Sequence, residues 1–531
     1  MIRITTANEN RELDRIADQE YGIDVPMLME NAGRAAASAL LHDFPGAGID
    51  TEVLVFAGKG NNAGDAFVVA RRLLCLERKV RIFTLCPPGS YKGASRRNLE
   101  ILERLKAKIV ALETGTELAS FFEKSNRRFT IVDGILGTGL KGDLEGLFYD
   151  VVQVINKQGF SEVVALDIPS GVNGDTGAVH GASIQATLTV SFGFPKVGHF
   201  LPPGASRRGQ LVNVDISLPP RFRKEGDKFL VTMEPIVALL KDRDQYGHKN
   251  SFGHTLLIGG SPGLMGAIAM SARAAHRMGT GLVTIASWED CIPMLAPRIP
   301  DETMVVPIVT EGPAVETYKK ILPRYTSLVL GPGLGKREKS ATVIAGVLEA
   351  YRGPIVLDAD ALNVIATNNL FDHVRDRRAP TVLTPHPGEM ARLLGVEKAE
   401  VLADPIASVR ALAAKTHGVV LLKGACTIMG TIDNVVYLNH YPNDGMATAG
   451  SGDVLAGMIG GLLGQELEAL AGTRLGVYLH SLAGALAADL KGHRSMTASD
   501  IIDGISNAFL KIKKTKESQQ PGPGAGRVRL L

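Results

Sequence analysis

Apolar positions in this chain fall in short unbroken runs rather than in alternation. Each run stops at a glycine or a polar loop, and a stretch with helical spacing follows. Such runs occupy Glu52–Ala57, Val80–Leu85, Phe129–Asp133 and Glu162–Asp167. They return at Thr255–Ile258, Ser327–Leu330, Pro354–Asp358, Thr381–Thr384 and Val419–Lys423. A strand that is apolar throughout has both faces covered, which marks a parallel sheet between layers of helices. The pattern therefore predicts an α/β protein. It breaks once, at Leu218–Asp227, where two prolines and a cluster of charges read as a linker. The expected organisation is one domain over 1–218, a linker over 219–227, a larger domain over 228–510 and a flexible Pro/Gly tail over 511–531.

Composition narrows the class. A hydrophobic share of 45% against 21% charged residues suits a globular protein with large cores. The 58 basic and 55 acidic residues nearly cancel, so nothing suggests a nucleic-acid partner. The one dense basic run, Lys511–Lys516, reads as a solvated helix end. Cys75, Cys86, Cys291 and Cys426 form no CxxC pair, which argues against a disulfide framework or a thiolate metal cluster and fits a reducing cytoplasm. No secretory signal is visible, and the most apolar segment, 454–464, is too short to span a bilayer. A symmetric homo-oligomer is the default expectation for a soluble enzyme.

The chemically interesting residues stand where the strands end. In open α/β sheets that is the ligand-binding side. Thr448-Ala449-Gly450-Ser451-Gly452-Asp453 reads as a glycine-rich turn feeding a helix from about Val454. Backbone N–H groups of such a turn hold a phosphate or oxyanion. Asp453 is placed to take a proton from a substrate hydroxyl. Gly58–Asp65 precedes a helix expected over Ala66–Leu76, and its two asparagines add oxygens suited to a hard cation. Two more loops, 133–143 and 167–177, carry glycines and carboxylates at strand ends. Further on, His386 lies between two prolines, and Lys423 follows a buried strand where it could meet a nucleotide phosphate.

The loops GKGNNAGD (58–65), DGILGTGLKGD (133–143), DIPSGVNGDTG (167–177) and FGFPKVGH (192–199) resemble the NAD(P)H-hydrate epimerase domain. This resemblance covers residues 1–218 and implies a Rossmann-like α/β/α sandwich. It implies that Asn61, Asn62, Ala63, Gly64 and Asp65, with Gly137, Thr138, Gly139, Leu140, Lys141, Gly142 and Asp143, hold the substrate. It implies that Asn62, Asp133 and Ser170 ligate potassium and that Asp167 is the acid/base that also contacts substrate. The family commonly has glycine where this chain has Ala63; if that position needs positive φ, alanine costs stability.

The loops GGSPGLMGA (259–267), GPGLG (331–335), DADALN (358–363), TPHPGE (384–389), KGACT (423–427) and TAGSGD (448–453) resemble the ADP-dependent NAD(P)H-hydrate dehydratase. That resemblance covers 228–510 and implies a ribokinase-like fold. It implies that Ala267, Gly333, His386 and Asp453 contact the hydrated nucleotide. It also implies that Lys423, Gly424, Ala425, Cys426, Thr427 and Gly452 bind ADP, with Asp453 as base. Magnesium is expected on the nucleotide phosphates, with no protein ligand named. The implied activity is repair of hydrated nicotinamide nucleotides, NADHX and NADPHX. A ribokinase-like small-molecule kinase fused to a non-catalytic Rossmann-like module is the alternative.

Overall fold

The computed structural model describes residues 1–139, 142–310, 314–518 and 528–530. The chain folds into two compact units, divided between Gly226 and Asp227.

The first unit carries β1 (Glu52–Ala57), β2 (Val80–Thr84), β3 (Lys108–Ala111), β4 (Phe129–Gly134), β5 (Val163–Leu166), β6 (Leu188–Phe192) and β7 (Gln210–Val214). They form one parallel sheet in the order β7-β6-β5-β4-β1-β2-β3. Val53 and Val55 face one core, and Leu54 and Phe56 face the other, so every residue of β1 is buried. On the first of these faces lie α1 (Ala7–Tyr21), α2 (Val25–Asp43) and α3 (Asn61–Cys75), whose Leu13, Leu40 and Phe67 join the same cluster. Strand order reverses between β1 and β4, which opens a crevice at their carboxyl ends.

The second unit begins with β8 (Lys228–Leu230) and continues with β9 (His254–Ile258), β10 (Leu282–Ser287), β11 (Thr303–Pro307), β12 (Ser327–Leu330), β13 (Ile355–Leu357) and β14 (Thr381–Leu383). After β15 (Val419–Leu422) comes a pair, β16 (Cys426–Gly430) and β17 (Val436–His440). Sheet order is β8-β17-β16-β15-β14-β13-β12-β9-β10-β11. It is parallel except where β16 pairs antiparallel with both β15 and β17. The reversal lies between β9 and β12. The helices that matter for the site are α4 (Met265–Arg277), α5 (Pro387–Leu394), α6 (Ser451–Gly464), α7 (Ala469–Lys491) and α8 (Ala498–Ser518). Each unit is thus an α/β layer structure built on a parallel or mostly parallel sheet, as the apolar runs predict. Among the described residues, no helix is long and apolar enough to cross a membrane.

Two expectations need correction, and one condition is settled. The stretch read as a linker packs with the first unit: Phe222 is 1% exposed within its core, and its carbonyl accepts a hydrogen bond from Arg3 Nη1 at 2.6 Å. The flexible tail is helical through Ser518, because Ile512 is buried and holds α8 in place. Beyond it, β18 (Val528–Leu530) pairs parallel with β7, while 519–527 lie outside the described residues. Finally, Ala63 sits in the first turn of α3 with no positive φ, so alanine carries no backbone strain there.

Phe222→Ala is expected to destabilise the first unit by about 3–5 kcal/mol, the range for emptying a buried aromatic site. Denaturant unfolding reads this as an earlier transition of that unit; a linker side chain would leave the transition where it is.

Candidate functional site

At the first reversal, Gly58 lets two loops close on each other. A Cβ there would fall 1.9 Å from the Ile135 carbonyl oxygen. α3 then starts at Asn61, with Gly60 as its N-cap at φ +81° and no side chain capping it. Its first amides are left for a ligand, and the helix dipole favours an anion there. Lys59, Asn61, Asn62 and Asp65 line a cleft of about 820 Å³ together with Gly137, Thr138, Gly139 and Asp167. Ala63 and Gly64 are buried behind it. Gly142 and Asp143 do not line it; Asp143 instead faces His180 Nδ1 at 3.5 Å. Leu140 and Lys141 lie outside the described residues.

Beneath the cleft, Asp133 is wholly buried at the end of β4. It accepts hydrogen bonds from the Ser170 hydroxyl (2.6 Å), the Ser170 amide (2.8 Å) and the Ile135 amide (3.2 Å). Burial pushes its carboxyl up to about 6 even against those donors. Both side-chain polar atoms of Asn62 are buried without a partner among the described residues. An unpaired buried amide oxygen of this kind suits a cation that takes oxygen ligands.

Asp167 follows β5 with φ +64°, a strained value for a non-glycine residue. Its carboxylate pairs with Lys196, whose side chain is 0% exposed, and accepts the Phe192 amide at 3.2 Å. The Asp167 backbone is held as well. The Lys196 amide donates to His199 Nδ1 (3.0 Å), so the proton sits on Nε2 and is donated to the Asp167 carbonyl (2.9 Å). Burial, reinforced by Lys196, holds His199 well below the usual histidine range, so the ring stays neutral.

The second unit repeats the arrangement. α6 has Gly450 as N-cap at φ +93°, again without a side-chain cap. A Cβ at Gly450 would also fall 2.3 Å from Met270 Cε. Asp453 stands in the first turn. Lys423, at the end of β15, donates to Asp358 Oδ1 at 2.7 Å and lies 3.9 Å from Glu389 Oε2. It also lies against Gly452, where a Cβ would fall 3.2 Å from Lys423 Nζ. Burial would pull the lysine down, but Asp358 and Glu389 outweigh it and keep the ammonium charged. Asp453 is pushed up to about 7 by burial first and by Asp358 next.

Two further loops complete this site. His386 caps α5: its Nδ1 accepts the amides of Gly388 (3.0 Å) and Glu389 (3.2 Å), its Nε2 lies 3.5 Å from Glu389 Oε1, and its ring is half exposed. Glu389 answers by accepting the His386 amide at 2.8 Å. Gly333, at φ +59°, packs on the start of α4: a Cβ would fall 2.4 Å from the Leu264 carbonyl oxygen and 3.3 Å from Ala267 Cβ. Of the nucleotide candidates, Gly424 and Ala425 form an exposed turn, whereas Cys426 and Thr427 are on β16, with Cys426 buried. The residues not singled out from sequence are Asp14, Lys196, Asp358 and Glu389. The last three lie inside motifs already noted. Asp14 has no local signal, because it is one charge among many on an amphipathic helix.

Comparison with known proteins bears on both units. The NAD(P)H-hydrate dehydratase family matches residues 255–507, and the family described as YjeF-related protein N-terminus matches 25–198. The bifunctional NAD(P)H-hydrate repair enzyme Nnr of Moorella thermoacetica is 39% identical over 525 residues, covering 97% of this chain and 98% of that protein. The chain belongs to this family. The Nnr of Escherichia coli is 34% identical over 523 residues, covering 97% and 96%. A solved structure of the ADP/ATP-dependent NAD(P)H-hydrate dehydratase from Bacillus subtilis is 28% identical, covers 53% of this chain and 97% of that one, and has a TM-score of 0.46. Membership in the repair-enzyme family extends across both units, which sets aside the kinase-and-scaffold alternative.

Lys196→Met leaves Asp167 without its counter-ion in a buried site. Removing one partner of such a pair costs about 3–5 kcal/mol. The first unit's unfolding transition is expected to move by that amount, with the second unit's transition unchanged.

Proposed function

We propose that the first unit interconverts the R and S epimers of hydrated NAD(P)H and that the second restores NAD(P)H from the S epimer. The second reaction consumes ADP and yields AMP and phosphate. The two activities are an isomerase and a lyase in one chain. The observation that carries this reading is the repeated pairing of an uncapped helix N-terminus with a carboxylate at a strand-order reversal: α3 with Asp167, and α6 with Asp453.

In the second unit, the ionised Asp453 takes the proton of the C6 hydroxyl as that oxygen attacks the terminal phosphorus of ADP. The open amides at the start of α6 receive the charge that develops on the phosphoryl oxygens. Lys423 and the turn after it hold the remaining phosphate. Phosphate then leaves C6 and a proton leaves C5, which restores the double bond. Phosphate is a far better leaving group than hydroxide, so a kinase-like site can run a dehydration. Ala267, Gly333 and His386 orient the nicotinamide portion. Mg²⁺ is commonly held by one or two carboxylates plus substrate phosphates, and it neutralises phosphate charge when the nucleotide is bound.

In the first unit, Asn61–Asp65 and Gly137–Gly139 hold the substrate's phosphates, and Asp167 works at the epimerised carbon. Potassium suits Asn62, Asp133 and Ser170, given the unpartnered Asn62 oxygen. When bound, it supplies positive charge near the anionic substrate. Asn62→Leu is expected to remove the response of epimerisation to potassium, measured as the ratio of rates in potassium and in tetramethylammonium.

A base with its pKa near 7 must lose its proton before it can act. The dehydration rate on pure S epimer is therefore expected to fall about tenfold per pH unit well below 7, with a plateau above. Asp453→Asn is expected to lower kcat by about 10²–10⁴ and to flatten that profile. The test is product analysis: one AMP and one phosphate per reduced nicotinamide formed. Accumulation of a stable phosphorylated product would contradict the dehydratase reading.

A further inference from the structure

The first unit's cleft holds a carboxyl that no step above uses. α1 places Asp14 in its wall, next to the buried Leu13 in sequence and one turn from Asn10 and Ala17. One of its oxygens, Oδ1, is buried and has no hydrogen-bond partner among the described residues. A buried acceptor without a donor is costly, and a proton on the carboxyl or a donor on a bound ligand would satisfy it.

Charges face this carboxyl from several elements. Asp167 comes from the end of β5 and Lys196 from the segment after β6, and both act on it electrostatically. Asp65 comes from α3 and is coupled to Asp14 and Asp167 in turn. Lys59 and Lys92 line the cleft, as do Arg11, Arg15 and Asp18 on the same helix. Arg15 is tied to Glu12 at 2.8 Å.

The two spare carboxyls differ in what they can do. Asp65 is buried at the cleft wall, and burial first, then Asp167, raises its carboxyl well above the usual carboxylate range. Asp14 is pushed only to about 6, by burial first, with Lys196 opposing and Asp167 adding. It can lose and regain a proton at ordinary pH. Two titrating groups whose environments differ are the usual means of supplying an acid and a base together.

We propose that Asp14 is the second acid/base group of the epimerase cleft, acting with Asp167 on the C6 hydroxyl of the hydrated nicotinamide. The inference rests on the epimerase reading above. Protonated Asp14 gives its proton to the C6 hydroxyl. The C6–O bond breaks, water leaves, and the ring nitrogen's lone pair forms the C=N bond. A water molecule adds to C6 from the other face, its electron pair forming the new C–O bond as the C=N pair returns to nitrogen. The Asp167 carboxylate takes that water's proton. One proton has moved from Asp14 to Asp167, and exchange with solvent resets the pair. The reverse epimerisation runs with the roles exchanged.

The test uses the full chain with ADP and magnesium, so that S epimer formed from pure R epimer is read as recovered reduced nicotinamide. Repair of pure S epimer is measured beside it. Asp14→Asn is expected to slow R repair by about 100-fold or more while S repair is unchanged. Its residual rate is expected to lose the inflection near pH 6. Asp14→Glu, which keeps a titrating carboxyl, is expected to recover part of the rate and the inflection at a shifted pH. R repair at the wild-type rate in Asp14→Asn would overturn the proposal. So would a slowed rate that keeps the wild-type pH profile, because that is the mark of a structural role. Failure of the wild-type chain on R epimer, with S epimer repaired, would instead remove the epimerase reading and this inference with it.

Discussion

Both sites depend on one constraint: helices that begin at a glycine cap, where a parallel sheet reverses its strand order. A helix usually satisfies its first amides with a side chain. Gly60 and Gly450 have no side chain to offer, and both are in left-handed or otherwise non-helical backbone. A second loop comes close in each unit: 134–139 against Gly58 in the first, and 331–335 against the start of α4 in the second. Close approach there is possible only because Gly58 and Gly333 have no Cβ; one would strike the Ile135 and Leu264 carbonyl oxygens.

Around these open amides the two units arrange charge differently. In the first, one fully buried ammonium, Lys196, holds Asp167, while Asp14 and Asp65 are raised by burial. In the second, Lys423 pairs with Asp358, and Asp453 is left without the ion pair. Burial, with Asp358 adding and Lys423 only partly opposing, poises Asp453 as a base near neutral pH. The first arrangement suits shuttling a proton between carboxyls; the second suits taking one proton from a hydroxyl.

Much of this was legible in the sequence. β1 and β12 match the apolar runs Glu52–Ala57 and Ser327–Leu330 residue for residue, since a doubly covered strand must be apolar throughout. The helix starts were less legible. α3 begins at Asn61 rather than Ala66, and α6 at Ser451 rather than Val454, because their first turns are made of glycine and polar residues that face a ligand instead of a core. The antiparallel β16 was hidden for a similar reason: Cys426 and Thr427 follow a lysine and a glycine and read locally as a turn. Phe222 was masked by flanking charges and prolines. Asp14 and Lys196 acquire meaning only through contacts distant in sequence, about 150 residues apart for Asp14 and Asp167, which no local pattern encodes.

In the proposed function, two separate crevices carry two successive reactions. Recovery of reduced nicotinamide from a mixed R/S preparation, with ADP, magnesium and potassium, tests it most directly when wild type is compared with Asp167→Asn and Asp453→Asn. Full recovery is expected from wild type, recovery of the S fraction alone from Asp167→Asn beyond the slow spontaneous background, and none from Asp453→Asn. Full recovery by Asp167→Asn at the wild-type rate would contradict it.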